Sequence, residues 1–262
     1  VERPSRNVRM SDGTQHIRNA ELTGRALTVV VVPTYNEAEN LVELTDQLFA
    51  LDIPNLLVVI VDDDSPDGSG VLAAEIGKRF EGRVHVINRK QKMGLGPAYV
   101  EGFTYALDLG ADYVVQMDAD LSHPPSVVRD LLYGLEDMDV VVGSRYVRGG
   151  GADKEWGLLR RFISFGGNWG IRLVAGVNIK DATGGFKAFR RHVLQNIQFD
   201  SFRCNGFGFQ VEVNHACERM GFSILEQPYV FSDRAQGKSK MSLQIILEAM
   251  WKLIGLRLNR SI

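Results

Sequence analysis

Five short runs rich in Val, Ile and Leu recur along the first part of the chain. These runs are LTVVVV (27–32), LLVVIV (56–61), VHVIN (84–88), YVVQM (113–117) and VVVG (140–143). The stretches between them have helical spacing: AENLVELTDQLF (38–49), SGVLAAEIGKRF (69–80) and GPAYVEGFTYAL (96–107). Apolar strands that alternate with helices are typical of a parallel sheet buried on both faces. We therefore expect an α/β fold whose central, mostly parallel sheet is covered by helices on both faces.

The alternation loosens after about residue 145. WGLLRRFISFGGNWGIRLVAG (156–176) predicts an amphipathic helix, ILEQPYVF (224–231) a strand, and SLQIILEAMWKLIGLRLNR (242–260) a closing helix. DATGGFKAFRR (181–191) and the aromatic GFGFQVEV (206–213) lie between them. We expect a polar, mobile N-terminal extension over 1–25, one continuous domain over 26–241, and a C-terminal amphipathic helix over 242–262 that can associate with a membrane.

Polar residues follow four of the predicted strands. The first strand runs into PTYNE (33–37), the second into DDDSPDG (62–68), the fourth into DADLSHPP (118–125) and the fifth into GSRY (143–146). Ligands of parallel sheets bind at the carboxyl ends of the strands. Turn formation alone explains any one of these loops, because Asp, Asn, Pro and Gly are common turn residues. The four loops together favour a binding site at one edge of the sheet.

Charge is distributed unevenly along the chain. The whole sequence of 262 residues is 45% hydrophobic and carries a net charge of −2, which does not suggest a nucleic-acid binder. Residues 28–70 hold nine Asp or Glu and no Lys or Arg, whereas residues 143–191 hold ten Lys or Arg against three Asp or Glu. Solvated surface charge is one explanation. Together with the strand-end loops, the pattern favours a site that binds a cation on one side and phosphates on the other.

Asp118 and Asp120 are the candidate metal ligands. In an extended segment, side chains two residues apart point the same way and could share one cation. Two carboxylates with open positions suit Mg²⁺ or Mn²⁺, whereas no Cys/His cluster accompanies them to suggest zinc. His123 is either a further ligand or a loop residue.

Other acidic sites on parallel sheets are alternatives to consider. An Asp-x-Asp pair also occurs in phosphatases of the haloacid dehalogenase type, and DDD (62–64) is similar to the acidic pocket of response-regulator receivers. In both classes the nucleophile or pocket lies at the first strand, whereas Asp118 follows the fourth predicted strand. A receiver-like domain that binds Mg²⁺ without catalysis remains the non-enzymatic alternative.

The order of the motifs resembles that of family-2 glycosyltransferases, and more narrowly that of the dolichol-phosphate or polyprenol-phosphate mannose synthases. The resemblance covers about residues 27–242 and rests on PTYNE (33–37), VDDDSPDG (61–68), GLGPAY (94–99), DADLSHPP (118–125), GSRY (143–146) and a late F-x-DR-x-x-G-x-SKM (231–241). It implies a GT-A-type, Rossmann-like domain, GDP-mannose as donor, polyprenyl (dolichyl) phosphate as acceptor, Mg²⁺ or Mn²⁺ as cofactor, and inversion at the sugar carbon.

The resemblance also implies roles for individual residues. The nucleotide pocket would contain Pro33, Tyr35, Glu37, Val61 and Asp63, with Asp63 holding the base or ribose. The metal and the donor diphosphate would bind Asp118, Ala119 and Asp120, while Arg234 and Lys240 reach over the diphosphate. The acceptor phosphate would meet Arg145, Arg160 and Ser164. Some relatives have Gln where this chain has Ser122, and that Gln side chain can help to ligate the metal. Ser122, through its short hydroxyl, is the candidate third metal ligand, and water is the alternative.

The expected chemistry follows from the acceptor. A lipid monophosphate is ionised at neutral pH, so transfer to it needs no general base, unlike transfer to a hydroxyl. Catalysis would then rest on Asp118, Asp120 and Arg145, because two anions must be held close together. A UDP-sugar donor, carrying glucose or another sugar, is the alternative within the same fold.

Membrane attachment is expected to be peripheral. The longest stretch without Asp, Glu, Lys or Arg is ALTVVVVPTYN (26–36), too short to cross a bilayer. We expect a cytoplasmic protein on the cytosolic face of a membrane, and a small membrane-anchoring subunit is a candidate partner. The lipid tail could lie against Trp156, Phe162 and Phe165 or against the C-terminal segment with Ile246, Met250, Trp251 and Ile254. Packing of these helices on the protein's own core is the alternative.

Overall fold

The computed structural model describes residues 26–153, 157–202, 204, 206 and 208–232, and of residues 158–161 only the backbone. Several expectations lie outside the described residues: the extension over 1–25, the C-terminal helix over 242–262, Arg234 and Lys240, Trp156, and the Arg160 side chain.

The elements alternate through the first half of the chain, as the apolar pattern predicts. The strands are β1 (Thr28–Thr34), β2 (Leu56–Asp62), β3 (Val84–Asn88), β4 (Tyr113–Gln116), β5 (Val140–Ser144), β6 (Gly151–Ala152), β7 (Lys187–Arg190), β8 (Ile224–Pro228) and β9 (Val230–Phe231). The helices are α1 (Ala38–Phe49), α2 (Ser69–Arg79), α3 (Leu95–Asp108), α4 (Val128–Gly134), α5 (Leu158–Ala175), α6 (Arg191–Asn196) and α7 (Gly208–Arg219).

Within the described part of the chain, seven strands form one sheet in the order β3-β2-β1-β4-β7-β5-β8. All neighbouring strands are parallel except at β7, which pairs antiparallel with β4 on one side and with β5 on the other. The prediction of a mostly parallel sheet is confirmed. β6 and β9 form a small separate parallel pair, with Gly151 opposite Val230.

Helices cover both faces of the sheet, as predicted. Val29 and Val31 of β1 point to a core formed with α3, α5 and α7, while Val30 and Val32 point to a core formed with α1, α2 and α4. The close approach of α3 to β1 depends on Gly102, because a Cβ there would overlap the Val31 side chain. Alternate valines therefore fix which helices lie on each face.

One segment of the second half differs from the sequence-based expectation, and a second, for which no element was predicted, is helical. ILEQPYVF (224–231) is interrupted at Tyr229, so that β8 joins the main sheet beside β5 while β9 pairs with β6. Tyr229 itself is buried, so the chain turns there from one sheet to the other. GFGFQVEV (206–213) contributes most of its residues to helix α7, where Phe209 packs in the core.

Among the residues that the structure describes, no helix combines the length and the apolar character needed to cross a bilayer.

Candidate active site at the carboxyl ends of the strands

The loops after β1 and β2 are joined to each other by hydrogen bonds. The backbone N–H of Glu37 donates to Ser69 Oγ (3.0 Å), and that of Ala38 donates to Asp67 Oδ2 (3.1 Å). Burial raises the pKa of Asp67, but hydrogen bonds from Ser69 and from backbone N–H groups outweigh it and lower the pKa below its usual value. Two of the four strand-end loops therefore form one surface, as predicted.

The residues assigned to the nucleotide pocket lie together at this surface. Pro33 of β1 is opposite Val61 of β2, and both are buried. Tyr35 lies beyond them, with the Lys92 ammonium 3.5 Å from the centre of its ring. Glu37 accepts a hydrogen bond from Asn40 (2.9 Å). Their contact with a nucleotide stays a prediction.

Asp63 is fully engaged with the segment before α3. Its Oδ1 accepts hydrogen bonds from Arg89 Nη1 (2.7 Å) and from the Met93 N–H (2.9 Å), and its Oδ2 accepts one from the Gly94 N–H (2.8 Å). Gly94 has φ of 100°, a conformation that favours glycine. In this structure Asp63 orders the chain entering α3, and its contact with the base or ribose stays a prediction.

Asp118 lies just beyond β4 and is held on two sides. Tyr99 of α3 donates its hydroxyl to Asp118 Oδ1 (2.8 Å), and the Asp118 backbone N–H donates to His123 Nδ1 (3.0 Å). The Asp118 side chain is 36% exposed, and its Oδ2 is 4.0 Å from His123 Nε2. The Asp118 carboxylate is therefore fixed in direction and still accessible.

Asp120 is held by Ser122. The Ser122 backbone N–H (3.1 Å) and hydroxyl (2.6 Å) both donate to Asp120 Oδ1. The chain bends from Ala119 to Leu121, and Leu121 has φ of 61°. The assumption of an extended segment is therefore wrong: Asp118 precedes a bend and Asp120 lies on it. Hydrogen bonds from Tyr99 and Ser122, rather than strand alternation, hold their carboxylates.

His123 is a packing residue beside the aspartates. Its ring stacks on Phe186 with centroids 4.9 Å apart and meets Tyr229 and Phe231 edge-on. Burial lowers the pKa of His123 below its usual value, against the opposing charges of Asp118 and Asp120. A neutral ring that accepts the Asp118 N–H at Nδ1 carries its proton on Nε2.

The donor set at this bend fits a hard divalent cation. Asp118 and Asp120 offer carboxylate oxygens, and no group of three His, Cys, Asp or Glu suited to a metal occurs among the described residues. Mg²⁺ and Mn²⁺ accept one or two carboxylates and complete their shells with water and substrate phosphates. The Ser122 hydroxyl is buried and donates to Asp120, and its role as a third ligand stays a prediction.

Arg145, just beyond β5, is held in a buried ion pair. Its Nε and Nη2 donate to the two oxygens of Asp181 (2.7 Å each), and Nη2 also donates to Thr183 Oγ1 (3.1 Å). Burial lowers the pKa of the guanidinium, but Asp181 outweighs this effect and the pKa is raised. Arg145 therefore stays charged and its orientation is set by Asp181.

Ser164 of α5 lies near Arg145, as the acceptor-site prediction requires. The hydroxyls of Tyr146 and Ser164 are 2.7 Å apart, and Tyr146 follows Arg145 in the chain. This contact ties α5 to the end of β5. Binding of a phosphate by Arg145, Arg160 and Ser164 stays a prediction.

Two buried charged residues were missed by sequence reasoning. Asp181 has an exposure of 0%, and so does Lys187, whose Nζ donates to Gly184 O and to Gln210 Oε1 (2.6 Å each). Burial lowers the pKa of Lys187 to about 7, against the opposing charge of Asp181. For Lys187, the sequence feature that indicates burial is its position between two phenylalanines in DATGGFKAFRR (181–191).

Sequence comparison identifies the class of protein to which this sheet, its strand-end loops and the acidic bend belong. The profile of the family described as "Glycosyl transferase family 2" matches residues 29–198. The chain belongs to this family and is a glycosyltransferase. The resemblance drawn from the motifs is confirmed.

Individual relatives give a more specific comparison than the family does. The chain is 40% identical over 227 residues to "Polyprenol monophosphomannose synthase" of Mycolicibacterium smegmatis, covering 86% of this chain and 85% of that protein. It is 41% identical over 226 residues to "Undecaprenyl-phosphate mannosyltransferase" of Micrococcus luteus, covering 86% and 91%. It is 36% identical to "Dolichol-phosphate mannosyltransferase" of Pyrococcus furiosus, covering 84% of this chain and 60% of that protein.

Solved structures support the fold. Glucosyl-3-phosphoglycerate synthase from Mycobacterium tuberculosis, in complex with uridine diphosphate, superposes with a TM-score of 0.65 at 19% identity, covering 98% of this chain and 86% of that one. The same enzyme with Mn²⁺ and UDP-glucose gives a TM-score of 0.65 at 20% identity, covering 99% and 84%. The expected GT-A-like α/β fold is confirmed by these likenesses.

Proposed function

We propose that the protein transfers mannose from GDP-mannose to a polyprenyl (dolichyl) phosphate, with inversion at the sugar carbon and with a divalent cation as cofactor. The observation that carries this proposal is the likeness to enzymes named for polyprenol-phosphate or undecaprenyl-phosphate mannose transfer, at 40% and 41% identity and over most of each chain. The product would be polyprenyl-phosphate mannose.

The donor half of the reaction would take place above β1, β2 and β4. The paired loops that carry Tyr35 and Glu37 would receive the nucleoside, and Asp118 and Asp120 would hold Mg²⁺ or Mn²⁺. A bound divalent cation supplies Lewis-acid neutralisation of the departing diphosphate. Arg234 and Lys240 would add positive charge over the same diphosphate.

The acceptor half would use Arg145, Arg160 and Ser164. A phosphate monoester that is already ionised attacks without losing a proton, so the protein's task is to hold two anions in line. Arg145 suits this task because its guanidinium is fixed and permanently charged. Ser164, 2.7 Å from Tyr146, lies on the neighbouring helix.

The lipid tail and the membrane would meet the outer face of α5. Phe162, Phe165, Trp169 and Leu173 recur at helical spacing and are 73%, 59%, 58% and 55% exposed. Ile171 and Ala175 of the same helix pack in the core. Both sequence interpretations therefore apply to parts of α5: one side of the helix packs on the core, while Phe162 and Phe165 are exposed. We place the enzyme peripherally on the cytosolic face of a membrane, and a small anchoring subunit could bind there.

The deciding experiment is radiolabelled sugar transfer to a polyprenyl phosphate from a panel of GDP- and UDP-sugars, with Mg²⁺, Mn²⁺ or a chelator. We expect product from GDP-mannose alone, with loss of product in the chelator. Transfer from a UDP-sugar would replace the donor assignment by its alternative. Failure of every donor would contradict the proposed reaction, and the anomeric coupling of the product in an NMR spectrum would test inversion.

A further inference from the structure

The segment over 180–185, here called the 180–185 loop, lies in the connection between α5 and β7. Side chains of four elements hold it in place. Asn168 of α5 donates to Lys180 O (2.6 Å) and accepts from the Ala182 N–H (3.1 Å). Asn214 of α7 donates to Ala182 O (2.9 Å). Such side-chain bonds replace the backbone pairing that a strand or helix would provide.

Three further backbone groups of the loop are bonded to side chains of the sheet. Glu226 of β8 accepts from the N–H groups of Lys180 (3.0 Å) and Asp181 (3.1 Å). Lys187 of β7 donates to Gly184 O (2.6 Å). A network satisfied at this many positions is rigid, so the side chains that the loop presents have defined directions.

The loop uses this rigidity to hold Asp181 against Arg145. Asp181 has an exposure of 0%, and its Oδ2 accepts both the Arg145 backbone N–H (3.0 Å) and Arg145 Nε (2.7 Å). Gly184 lies close behind, since a Cβ there would come 3.2 Å from the Asp181 carboxylate carbon. Asp181 therefore meets Arg145 and not solvent.

The ion pair leaves one edge of the guanidinium for another ligand. Asp181 and Thr183 take Nε and Nη2, and no described residue hydrogen-bonds to Nη1. The ring centroids of Tyr146 and Phe231 are each 5.4 Å from the guanidinium carbon of Arg145, and these rings limit the movement of the guanidinium. A guanidinium held in this way binds an anion without first losing rotational freedom.

We propose that Asp181 is a positioning residue, which aims the Nη1 edge of Arg145 at the phosphate of the lipid acceptor. The inference rests on the proposed function, because that function supplies the acceptor phosphate. Asp181 acts through Arg145 and touches no substrate. A purely structural ion pair would instead affect stability and both substrates equally.

The test compares Asp181→Asn with Asp139→Asn. Asp139 directly precedes β5, at the opposite end of the strand from Arg145, and its Oδ2 accepts from the Ser223 N–H (2.8 Å) and hydroxyl (2.7 Å). Asp181→Asn should raise the KM for polyprenyl phosphate by about 10-fold to 100-fold, since small misplacements of a substrate-holding group have effects of this order. The KM for GDP-mannose should change less than about two-fold. Asp139→Asn should alter neither KM.

An unchanged acceptor KM in Asp181→Asn, or an equal rise in both KM values, would overturn the inference while leaving the proposed function intact. Should Asp181→Asn fail to fold because Arg145 is left as an unpaired buried charge, Thr183→Val decides. That variant removes only the hydroxyl bonded to Nη2, and we expect the acceptor KM to rise about three-fold. An unchanged acceptor KM would count against the inference.

A wild-type protein that transfers no sugar would refute the proposed function, and direct binding then decides the inference separately. Titration calorimetry with farnesyl phosphate, a soluble prenyl monophosphate, should give a weaker affinity for Asp181→Asn than for the wild type and for Asp139→Asn. Equal affinities of all three proteins would overturn it.

Discussion

At the scale of single residues, the two aspartates after β4 differ in their surroundings. Asp118 is partly exposed and bonded to Tyr99, whereas Asp120 is 5% exposed and bonded to Ser122. Both are held by donors, which fixes their oxygens before any ligand arrives. Their acidity and their spacing could be read from the sequence. The hydrogen bond from Tyr99 to Asp118 could not, because Tyr99 lies on helix α3 and the aspartates follow strand β4.

Replacement of either aspartate by Asn should strongly impair transfer, since loss of one of the two carboxylates weakens cation binding and leaves the charge of the departing diphosphate less well neutralised. We expect initial rates to fall by at least about 100-fold, together with loss of Mn²⁺ binding by electron paramagnetic resonance. Asp112→Asn is the matched control, because Asp112 precedes β4 at its other end and accepts the Leu27 N–H (2.8 Å). Near-normal rates in both Asp118→Asn and Asp120→Asn would refute the metal site.

Lys187 should make stability depend on pH. Burial lowers its pKa in the folded protein from 10.5 to about 7, so the unfolded chain binds the additional proton between these values. The free energy of unfolding therefore gains a contribution that rises as pH increases from about 7 towards 10.5. A neutral amine still has two N–H groups for Gly184 O and Gln210 Oε1.

The measurement is urea unfolding from pH 6 to pH 9.5 for the wild type, Lys187→Met and Lys78→Met. The exposed Lys78 is the control and should follow the wild type. The unfolding free energy of the wild type minus that of Lys187→Met should increase as pH rises above about 7. A difference that does not change with pH would show that Lys187 is charged throughout.

At the scale of elements, α5 serves two purposes. On one side of the helix Ile171 and Ala175 pack into the core, and Asn168 hydrogen-bonds to the 180–185 loop. The other side exposes Phe162, Phe165 and Trp169, here called the aromatic stripe. An amphipathic pattern reveals that a helix has two faces, but it does not say whether an aromatic face is buried. In the described structure Phe162 and Phe165 are 73% and 59% exposed, so they lie on the exposed side of α5.

Polar replacement of the stripe should release the protein from membranes. We expect the triple variant Phe162→Ser, Phe165→Ser and Trp169→Ser to remain in the bottom fraction after liposome flotation, while the wild type floats. Val71→Ser is the control, since Val71 of α2 is 69% exposed on the opposite face of the sheet. A wild type that does not float, with or without polyprenyl phosphate, would contradict peripheral attachment.

The predictability of the elements follows from their physical origin. β1 to β5 and α1 to α3 could be read from the sequence, because long apolar runs and helical spacing are local signals. β7 could not, since KAFR is four residues long and contains a lysine whose partner, Gln210, is remote in sequence. The pairing of Arg145 with Asp181 likewise depends on how α5 returns the chain to the sheet.

At the scale of the whole molecule, the sheet brings an acidic and a basic half together. The loops after β1, β2 and β4 carry the carboxylates, and Arg145 follows β5 on the other side of β7. The uneven charge along the sequence predicts a basic half opposite an acidic one. Arg145 lies at this edge, whereas Arg190 and Arg191 donate to the backbone oxygens of Met138 and Ala111 at the other end of the sheet. The sequence could not predict that Arg145 forms an ion pair with Asp181, which offsets much of its positive charge.

Ligand binding should stabilise the whole domain, and the choice of nucleotide should appear in the melting temperature. At a ligand concentration of about 100 times Kd, binding adds about 2.7 kcal/mol, which corresponds to a rise of several degrees for a domain of this size. We expect this rise with GDP-mannose and Mn²⁺, but not with UDP-glucose and Mn²⁺ or with GDP-mannose and a chelator. Equal shifts from both nucleotide sugars would contradict the donor specificity.

The antiparallel strand β7 has a consequence for how the protein is made. Of the described strands, it alone joins β3-β2-β1-β4 to β5-β8, yet it is synthesised well after β5. A nascent chain that ends before Lys187 therefore holds VVVGS (140–144) without a neighbouring strand, and unpaired apolar edges promote aggregation. The four residues of β7 thus set the point in translation at which the two parts of the sheet can join.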